Sequence, residues 1–599
     1  MKYPLSLLLA LLSVPALSLA QEQSEPIENV VVTATRTSLA ADKVSAPIIV
    51  IDRATIERSM ATDLADLLKF HAGLDIARNG GPGQPTSVFI RGTESNHTLV
   101  MIDGVKINPG TAGGAALQQI SPEMVERIEI VKGPRSSLYG SEAIGGVINI
   151  ITLRKAQSGV SASLGAGRYA TRDASFDGRI SGESGSMGAS VSWMETDGFP
   201  VQTDTDLDRG HDNRTANVFG ELNLGEVLLS VRHWEAQGNT EYLDFFLTPL
   251  DQDFRNQATT MQLEAPLAGN WQTSVMLSRV VDELSQNQGS DFFITERDTL
   301  DWQNDFHAGE HLFSAGLYLS SEDTRALSFG TGYDESTDIN AVYLQDQIRN
   351  GAHDLVAALR YTDHETAGSH NTWNLDYAYS VTPALRLNAG AGTGFRAPNS
   401  SERYGYGGNP NLLPETSTNM ELGASYQLDP KQQVWVRAFN NEIDNLIDYV
   451  ILDFNTFEGI NQNVARARIQ GIEAGYEYID QDWQFRAEAV SQDPEDRDTG
   501  ETLLRRAKQS LSASLVRGFG AHELGLDMLS TGERSDYGFP SATRLPGYTL
   551  FNLTARMSLG KSWWLQGKME NLLDKQYQTV AGYTTSGRGV YLSVNYRSF

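Results

Sequence analysis

Beyond Arg154 the chain alternates apolar and polar residues with a period of two, and that regularity restricts it to β-strands. Phe551, Leu553, Ala555, Met557 and Leu559 alternate with Asn552, Thr554, Arg556 and Ser558. Trp563, Leu565, Gly567 and Met569 alternate with Trp564, Gln566, Lys568 and Glu570, and Val590, Leu592, Val594 and Tyr596 with Tyr591, Ser593 and Asn595. One apolar face of this period suits a strand that meets lipid on one side and a polar interior on the other. A water-soluble sandwich gives the same local pattern, so length has to separate the two. The chain has 599 residues, which leaves about 445 after Arg154, or about 20 for each of 22 strands with its connection, where ~9–11 suffice to span a bilayer. Barrels of that size carry a plug in the lumen. The expected fold is therefore an all-β transmembrane barrel of about 22 antiparallel strands over 154–599, filled by an N-terminal α+β plug domain over 41–153.

The plug reading rests on mixed elements. Leu64, Leu67 and Leu68 within Thr62 to Phe70 fall at helical spacing, whereas Val88 to Gly92 and Leu99 to Val105 read as buried strands ended by glycines. Val125 to Val131 and Ala143 to Thr152 add two more strands, the first broken by Gly133-Pro134. Ahead of this domain, Lys2, the apolar run Leu5 to Leu19 and Ser18-Leu19-Ala20 form a secretory signal peptide over 1–20, too short and too interrupted by Pro15 for a membrane anchor. The chain contains no cysteine, which excludes disulfides and thiol catalysis. A formal net charge of −28 excludes nucleic acid as a partner, because phosphate binding needs a basic surface. There is no His-Glu-x-x-His, no Gly-x-Ser-x-Gly and no Walker loop, and Gly392 to Ala397, which superficially matches a dinucleotide fingerprint, lies among barrel strands without a βαβ unit. The chain is not read as an enzyme.

Between the leader and the plug, the segment 21–40 is polar apart from its Val run, which lies within Glu28, Asn29, Val30, Val31, Val32, Thr33 and Ala34. A short β-forming run with no obvious partner of its own is an edge on which another protein can add a strand. The bland alternative is a first plug strand.

At this point the residues resemble TonB-dependent outer-membrane receptors along the whole chain after the leader. The matching motifs are Glu28 to Ala34 as a TonB box, Phe89-Ile90-Arg91-Gly92, Ile102-Asp103-Gly104-Val105, Gly133-Pro134-Arg135-Ser136 and Tyr139 to Asn149 in the plug. In the barrel they are Gly394-Phe395-Arg396-Ala397-Pro398, Asn411-Leu412 with Pro414-Glu415, and Asn571 to Tyr577. Within that superfamily, Asn79-Gly80-Gly81 with Gly83-Gln84, Ala467-Arg468-Ile469, Asn445 to Tyr449 and Leu503 to Gln509 are similar to the cobalamin receptors. The resemblance implies a bacterial outer-membrane location, active import of cobalamin, and TonB as the periplasmic partner that adds a strand at the box. A siderophore or haem importer shares that mechanism, and a passive porin-like barrel is the remote alternative.

The resemblance also implies sites. Pro85 and Ser87 match ligand-contact positions, Glu94 stands where an Asn is usual, and Thr111-Ala112 falls where a plug loop touches the corrin. In the barrel Arg505 matches a basic contact and Tyr537 an aromatic one, with Phe245 and Thr295 as looser matches. Gln202, Asp204 and Asp206 in one loop, and Tyr242, Asp244, Asp251 and Asp253 in the next, are similar to paired acidic loops that hold calcium. Calcium takes six to eight oxygens, and an EF-hand does not fit the spacing here. A further Asp of that pattern is replaced by Phe199-Pro200, and a solvated acidic loop remains the alternative. Arg597, near the C-terminus, interrupts the aromatic alternation expected there and has no explanation in the sequence.

Overall fold

The computed structural model describes residues 31–32, 36–37, 39–40, 47–154, 158–453, 458–538 and 541–598. Twenty-two strands, each antiparallel to its neighbours, close into one barrel, and closure joins the first barrel strand, Gly159–Gly167, to the last, Gly589–Arg597. In lipid a strand's backbone groups have no water to bond, so closure is what removes the unpaired edges. The alternation read from the sequence sorts the side chains as expected. Leu553, Leu592 and Trp563 point outward and are exposed, whereas Asn552, Thr554, Gln566 and Asn595 are buried against the lumen. Connections at one rim are short turns such as 183–184 and 225–226. At the other rim the loops are longer, notably 397–414 with its helix and 532–547 with a small hairpin, Arg534–Asp536 on Thr543–Leu545.

The lumen is filled by the plug. Its strands are β3 (Ile48–Asp52), β4 (Leu74–Arg78), β5 (Thr86–Ile90), β6 (Thr98–Ile102), β7 (Val105–Lys106), β8 (Val125–Lys132) and β9 (Gly146–Thr152), preceded by two short strands, β1 (Val31–Val32) and β2 (Leu39–Ala40). Five of them form one sheet in the order β3-β8-β9-β6-β7, with β6 and β9 parallel, and β4 pairs with β5. The sequence predicts one strand from Leu99 to Val105. The structure turns it at Asp103-Gly104, both at positive φ (51° and 85°), the pairing that a two-residue hairpin demands. The predicted helix shortens to α2 (Leu64–Leu68), which begins where the Asp63 carboxylate accepts from the Asp66 amide. It follows α1 (Arg53–Ser59), capped in the same way by Asp52. Leu64, Leu67 and Leu68 are buried with Ile51, Ile128 and Ile150 in one core that extends to Trp234 and Phe254 of the barrel wall.

Buried charge fastens the plug to that wall. Arg91 donates to Glu421 (2.9 Å) and to Glu473 (2.8 Å), and Lys132 reaches the other oxygen of Glu473 (2.8 Å). Glu473 is fully buried, and its carboxylate is tolerable there because two cations compensate it. The odd Arg597 is also accounted for. Its position alternates inward, so the outward row Val590, Leu592, Val594 and Tyr596 is unbroken, and its guanidinium pairs with Glu57 of α1. Burial alone would raise the Glu57 carboxyl, but Arg53 and Arg597 outweigh it and hold it at about 2. Replacing Glu473 by Ala leaves the buried Lys132 without a carboxylate and Arg91 with Glu421 alone, a change expected to cost about 3–5 kcal/mol. The expected readout is earlier urea-induced protease sensitivity of the plug while the barrel keeps its folded gel mobility.

Candidate functional site

The candidate residues fall in two regions, one on the outer-loop side of the plug and one at the start of the described chain. At the long-loop end, the loop 79–85 is held close to the wall. Gly83 has φ +74°, and a Cβ there would stand 2.2 Å from His211, so glycine is required. Gln84 donates to the Glu241 carbonyl (2.6 Å). This leaves Pro85 exposed at the apex, with Ser87 half-buried on β5 behind it. Glu94 is half-buried and pairs with Arg506. The neighbouring Arg505 donates to Asp536 (2.6 Å) and lies 5.2 Å from the centre of the Tyr537 ring, which is exposed. Glu94, Arg505 and Tyr537, far apart in sequence, therefore share one surface.

The other candidate contacts behave differently. Thr111 is buried, its amide donates to the Thr295 hydroxyl (3.3 Å), and Thr295 is fully buried. The Thr295 hydroxyl thus holds the plug loop and does not face solvent, while Ala112 beside it is exposed. Phe245 is 79% exposed and packs edge-on against Phe246 on an outer loop.

The loop bearing α4 (Ser400–Tyr404) also reaches this apex. Ser400 donates to the Gly110 carbonyl (2.9 Å) and Ser401 to that of Thr111 (3.4 Å). Its base is a buried relay: Arg396 bonds Glu402 twice (2.9 and 3.0 Å) and Glu415 (2.6 Å), and Glu415 meets the plug's His97 at 2.6 Å. His97 Nδ1 accepts from the Glu94 amide (3.2 Å), which leaves Nε2 as the donor to Glu415. Sequence reasoning marked Arg396 and Glu415 as family motifs but missed their joint contact with His97, because pairing across 318 residues has no local pattern.

Of the acidic candidates, Asp204 and Asp206 lie in one outer loop and Gln202 bridges to Tyr583. In the second group, Asp251 and Asp253 both accept from Asn239 (2.9 and 2.7 Å), and Asp251 is also engaged by Asn287 and Gln288. Asp244 caps its own turn by accepting from the amides of Phe246 and Thr248, and Tyr242 accepts from Gln286. Among the described residues no three acidic or histidine groups stand together as a metal cage. In this arrangement the Asp251 and Asp253 carboxylates are engaged by the amides of Asn239, Asn287 and Gln288.

The segment expected to take an added strand is described only in part. Glu28, Asn29, Val30, Thr33 and Ala34 lie outside the described residues, as does the leader. Val31 and Val32 are not partnerless, as the sequence suggested: they pair with Ala40 and Leu39. The intervening Arg36 was missed by sequence reasoning. Its guanidinium donates to Asp301 (2.6 Å) and to the Tyr343 hydroxyl (3.0 Å) and lies over the rings of Tyr139 and Tyr343. Burial works against this cation, yet Asp301 keeps its pKa above the ordinary arginine value. Gln347 adds a bond to Thr37 (2.7 Å).

A plug–barrel architecture of this kind finds direct matches. Residues 40–147 match the TonB-dependent Receptor Plug Domain, and residues 154–572 match the beta-barrel of TonB dependent receptor-like proteins. The chain belongs to the TonB-dependent receptor family. It is 32% identical, over 99% of both chains, to the Vitamin B12 transporter BtuB of Vibrio vulnificus (strain YJ016). Solved structures with the same fold include the siderophore receptor PirA of Acinetobacter baumannii (TM-score 0.79, 17% identity, 92% of this chain and 98% of that one). Another is the FrpB iron transporter of Neisseria meningitidis (TM-score 0.80, 14% identity, 92% and 99%). The chain is thus an outer-membrane receptor that works with TonB on a substrate ligand, not an enzyme. Its short turns face the periplasm and its long loops the exterior.

In this receptor Arg36 ties the segment that follows Val31–Val32 to the barrel wall. Arg36→Ala is expected to free it: a spin label on Val32→Cys, in a chain with no other cysteine, should become mobile without ligand. An unchanged spectrum would show that Arg36 does not restrain it.

Proposed function

We propose that the ligand is cobalamin, imported across the outer membrane with energy delivered by TonB through a strand added at Glu28 to Ala34. The observation that carries this reading is the 32% identity, along essentially the whole of both chains, to a protein named as a vitamin B12 transporter. The apex supports it. Ser87, Ala112 and the Tyr537 ring offer small and aromatic surface, and Glu94 and Arg505 offer charge, a mixture that suits a large amphipathic ring bearing amides. The siderophore and iron receptors share the fold at 14–18% identity and so speak to architecture alone.

Capture of a scarce ligand at nanomolar affinity is worth about 12 kcal/mol, and release would be slow without work. The work enters at the periplasmic end. Ligand seated on the apex would bear on Thr111, and so on the Thr295 and α4 contacts that hold it, while the Arg36 tether governs how far the box projects.

Cyanocobalamin titrated against the purified receptor should bind with nanomolar affinity, and adding calcium tests whether the acidic loops order around an ion and tighten binding. Failure with and without calcium would remove the cobalamin reading and leave a siderophore or haem as ligand. Deleting Glu28 to Ala34 should leave binding intact and abolish uptake; unimpaired uptake would refute the energised mechanism.

A further inference from the structure

Three outer loops of the barrel meet at one buried carboxylate. Asp536, in the hairpin Arg534–Asp536 on Thr543–Leu545, is 1% exposed. One of its oxygens accepts from Arg505 Nε (2.6 Å) and from the Tyr537 amide (2.8 Å), and the other accepts from the Ala581 amide (2.6 Å). Arg505 belongs to the connection 497–508, Tyr537 to 532–547 and Ala581 to 571–588. A carboxylate without water has to collect donors of this kind, and losing it would strand a guanidinium N–H and two amides.

Each loop is fastened a second time. Arg505 stands at φ +67°, a conformation uncommon for a residue with a side chain, and its amide donates to the Ser535 carbonyl (2.6 Å). Such a backbone persists only where its surroundings hold it, and it gathers at binding surfaces. The loop after Asn571 lies on the plug, where Val580 and Tyr583 pack with Ala77 and Phe89 and the Thr579 hydroxyl accepts from the Arg78 amide (3.2 Å). The same loop grips the first acidic loop. The Thr203 amide donates to the Gly582 carbonyl (2.9 Å) and the Thr584 amide to that of Val201 (3.0 Å), on either side of the Gln202–Tyr583 bridge.

For Arg505 the consequence is direction. Asp536 engages its Nε, and among the described residues the side chain makes no other hydrogen bond. The guanidinium is a rigid planar fork, so fixing Nε aims the two terminal nitrogens as well. They sit on a side chain 25% exposed, beside the Tyr537 ring. The neighbouring cations are balanced too: Arg506 pairs with Glu94, and Arg534 approaches Asp75 (3.8 Å). The surface therefore offers aimed donors without surplus positive charge, which suits neutral carbonyl oxygens such as amides better than a polyanion.

We infer that Asp536 is the positioning residue of the ligand-binding face: buried beneath it, the carboxylate sets the direction in which Arg505 and Tyr537 meet the ligand. This rests on the cobalamin reading above. The same carboxylate keeps those two contacts in register with the loop that carries Gln202, Asp204 and Asp206.

A double-mutant cycle tests it. Asp536→Ala and Arg505→Ala should each weaken cyanocobalamin binding by roughly tenfold. In the Arg505→Ala background the loss from Asp536→Ala should shrink by roughly threefold or more, because both residues act on one contact. Equal losses in the two backgrounds, which a purely structural role would give, overturn the inference, as does binding by Asp536→Ala equal to that of the parent. If the alanine variant does not insert, Asp536→Asn replaces it. Asparagine keeps an oxygen for Arg505 but sets an N–H against the Ala581 amide, and the same dependence on Arg505 is expected. A spin label on Ser541→Cys, in the cysteine-free chain, reads the hairpin without any ligand. Asp536→Ala should mobilise it, and an unchanged spectrum overturns the proposal. Should the parent protein fail to bind cyanocobalamin, the cobalamin reading falls, and the label still decides whether Asp536 holds the loops.

Discussion

Every polar group of the backbone must find a partner when the surroundings are hydrocarbon, and the rest of the molecule follows from that demand. It closes the sheet, because an open edge would leave a row of amides and carbonyls unbonded at a cost of several kcal/mol each. Closure at 22 strands fixes a lumen too wide for side chains to fill. The plug therefore has to be a folded domain with its own core, and the surface between domain and wall is polar on both sides. Paired charges such as Arg91 with Glu473 make that surface specific: they are favourable in one seating and leave an uncompensated ion in any other.

The two ends of the plug answer to different forces. At the outer end, contacts are numerous and local: Thr111 with Thr295, Ser400 with Gly110, Glu94 with Arg506. At the periplasmic end Arg36 spans from the segment that follows Val31–Val32 to Asp301, and Gln347 adds a bond to Thr37. Between them runs the relay His97–Glu415–Arg396–Glu402, with members from plug core, barrel rim and outer helix. A disturbance at α4 thus has a covalent and hydrogen-bonded path into β6, which begins one residue after His97.

How much of this the sequence disclosed depended on the range of the interaction. Period-two alternation is local, so the outward faces of Leu553 and Leu592 and the inward faces of Asn552 and Asn595 were readable, and the length was consistent with 22 strands. Short-range turn chemistry was readable in principle but was passed over at Asp103-Gly104, where a two-residue hairpin splits one expected strand. Contacts across hundreds of residues were not readable. Neither Arg36 with Asp301 nor His97 with Glu415 leaves a pattern in either segment, since any inward position of any strand could supply the partner. Thr295 shows a further limit: a residue matched by motif to ligand contact can be placed one layer behind it.

Arg597 carries a consequence for how the molecule holds together. It sits at the end of the strand that seals the cylinder, yet the carboxylate it needs belongs to the plug's first helix. Glu57 of the plug and the Trp564 ring of the neighbouring strand both lie against that guanidinium. The strand that completes the cylinder is thus tied by an ion pair to the domain it encloses, so the two ends of the described chain share one charge balance.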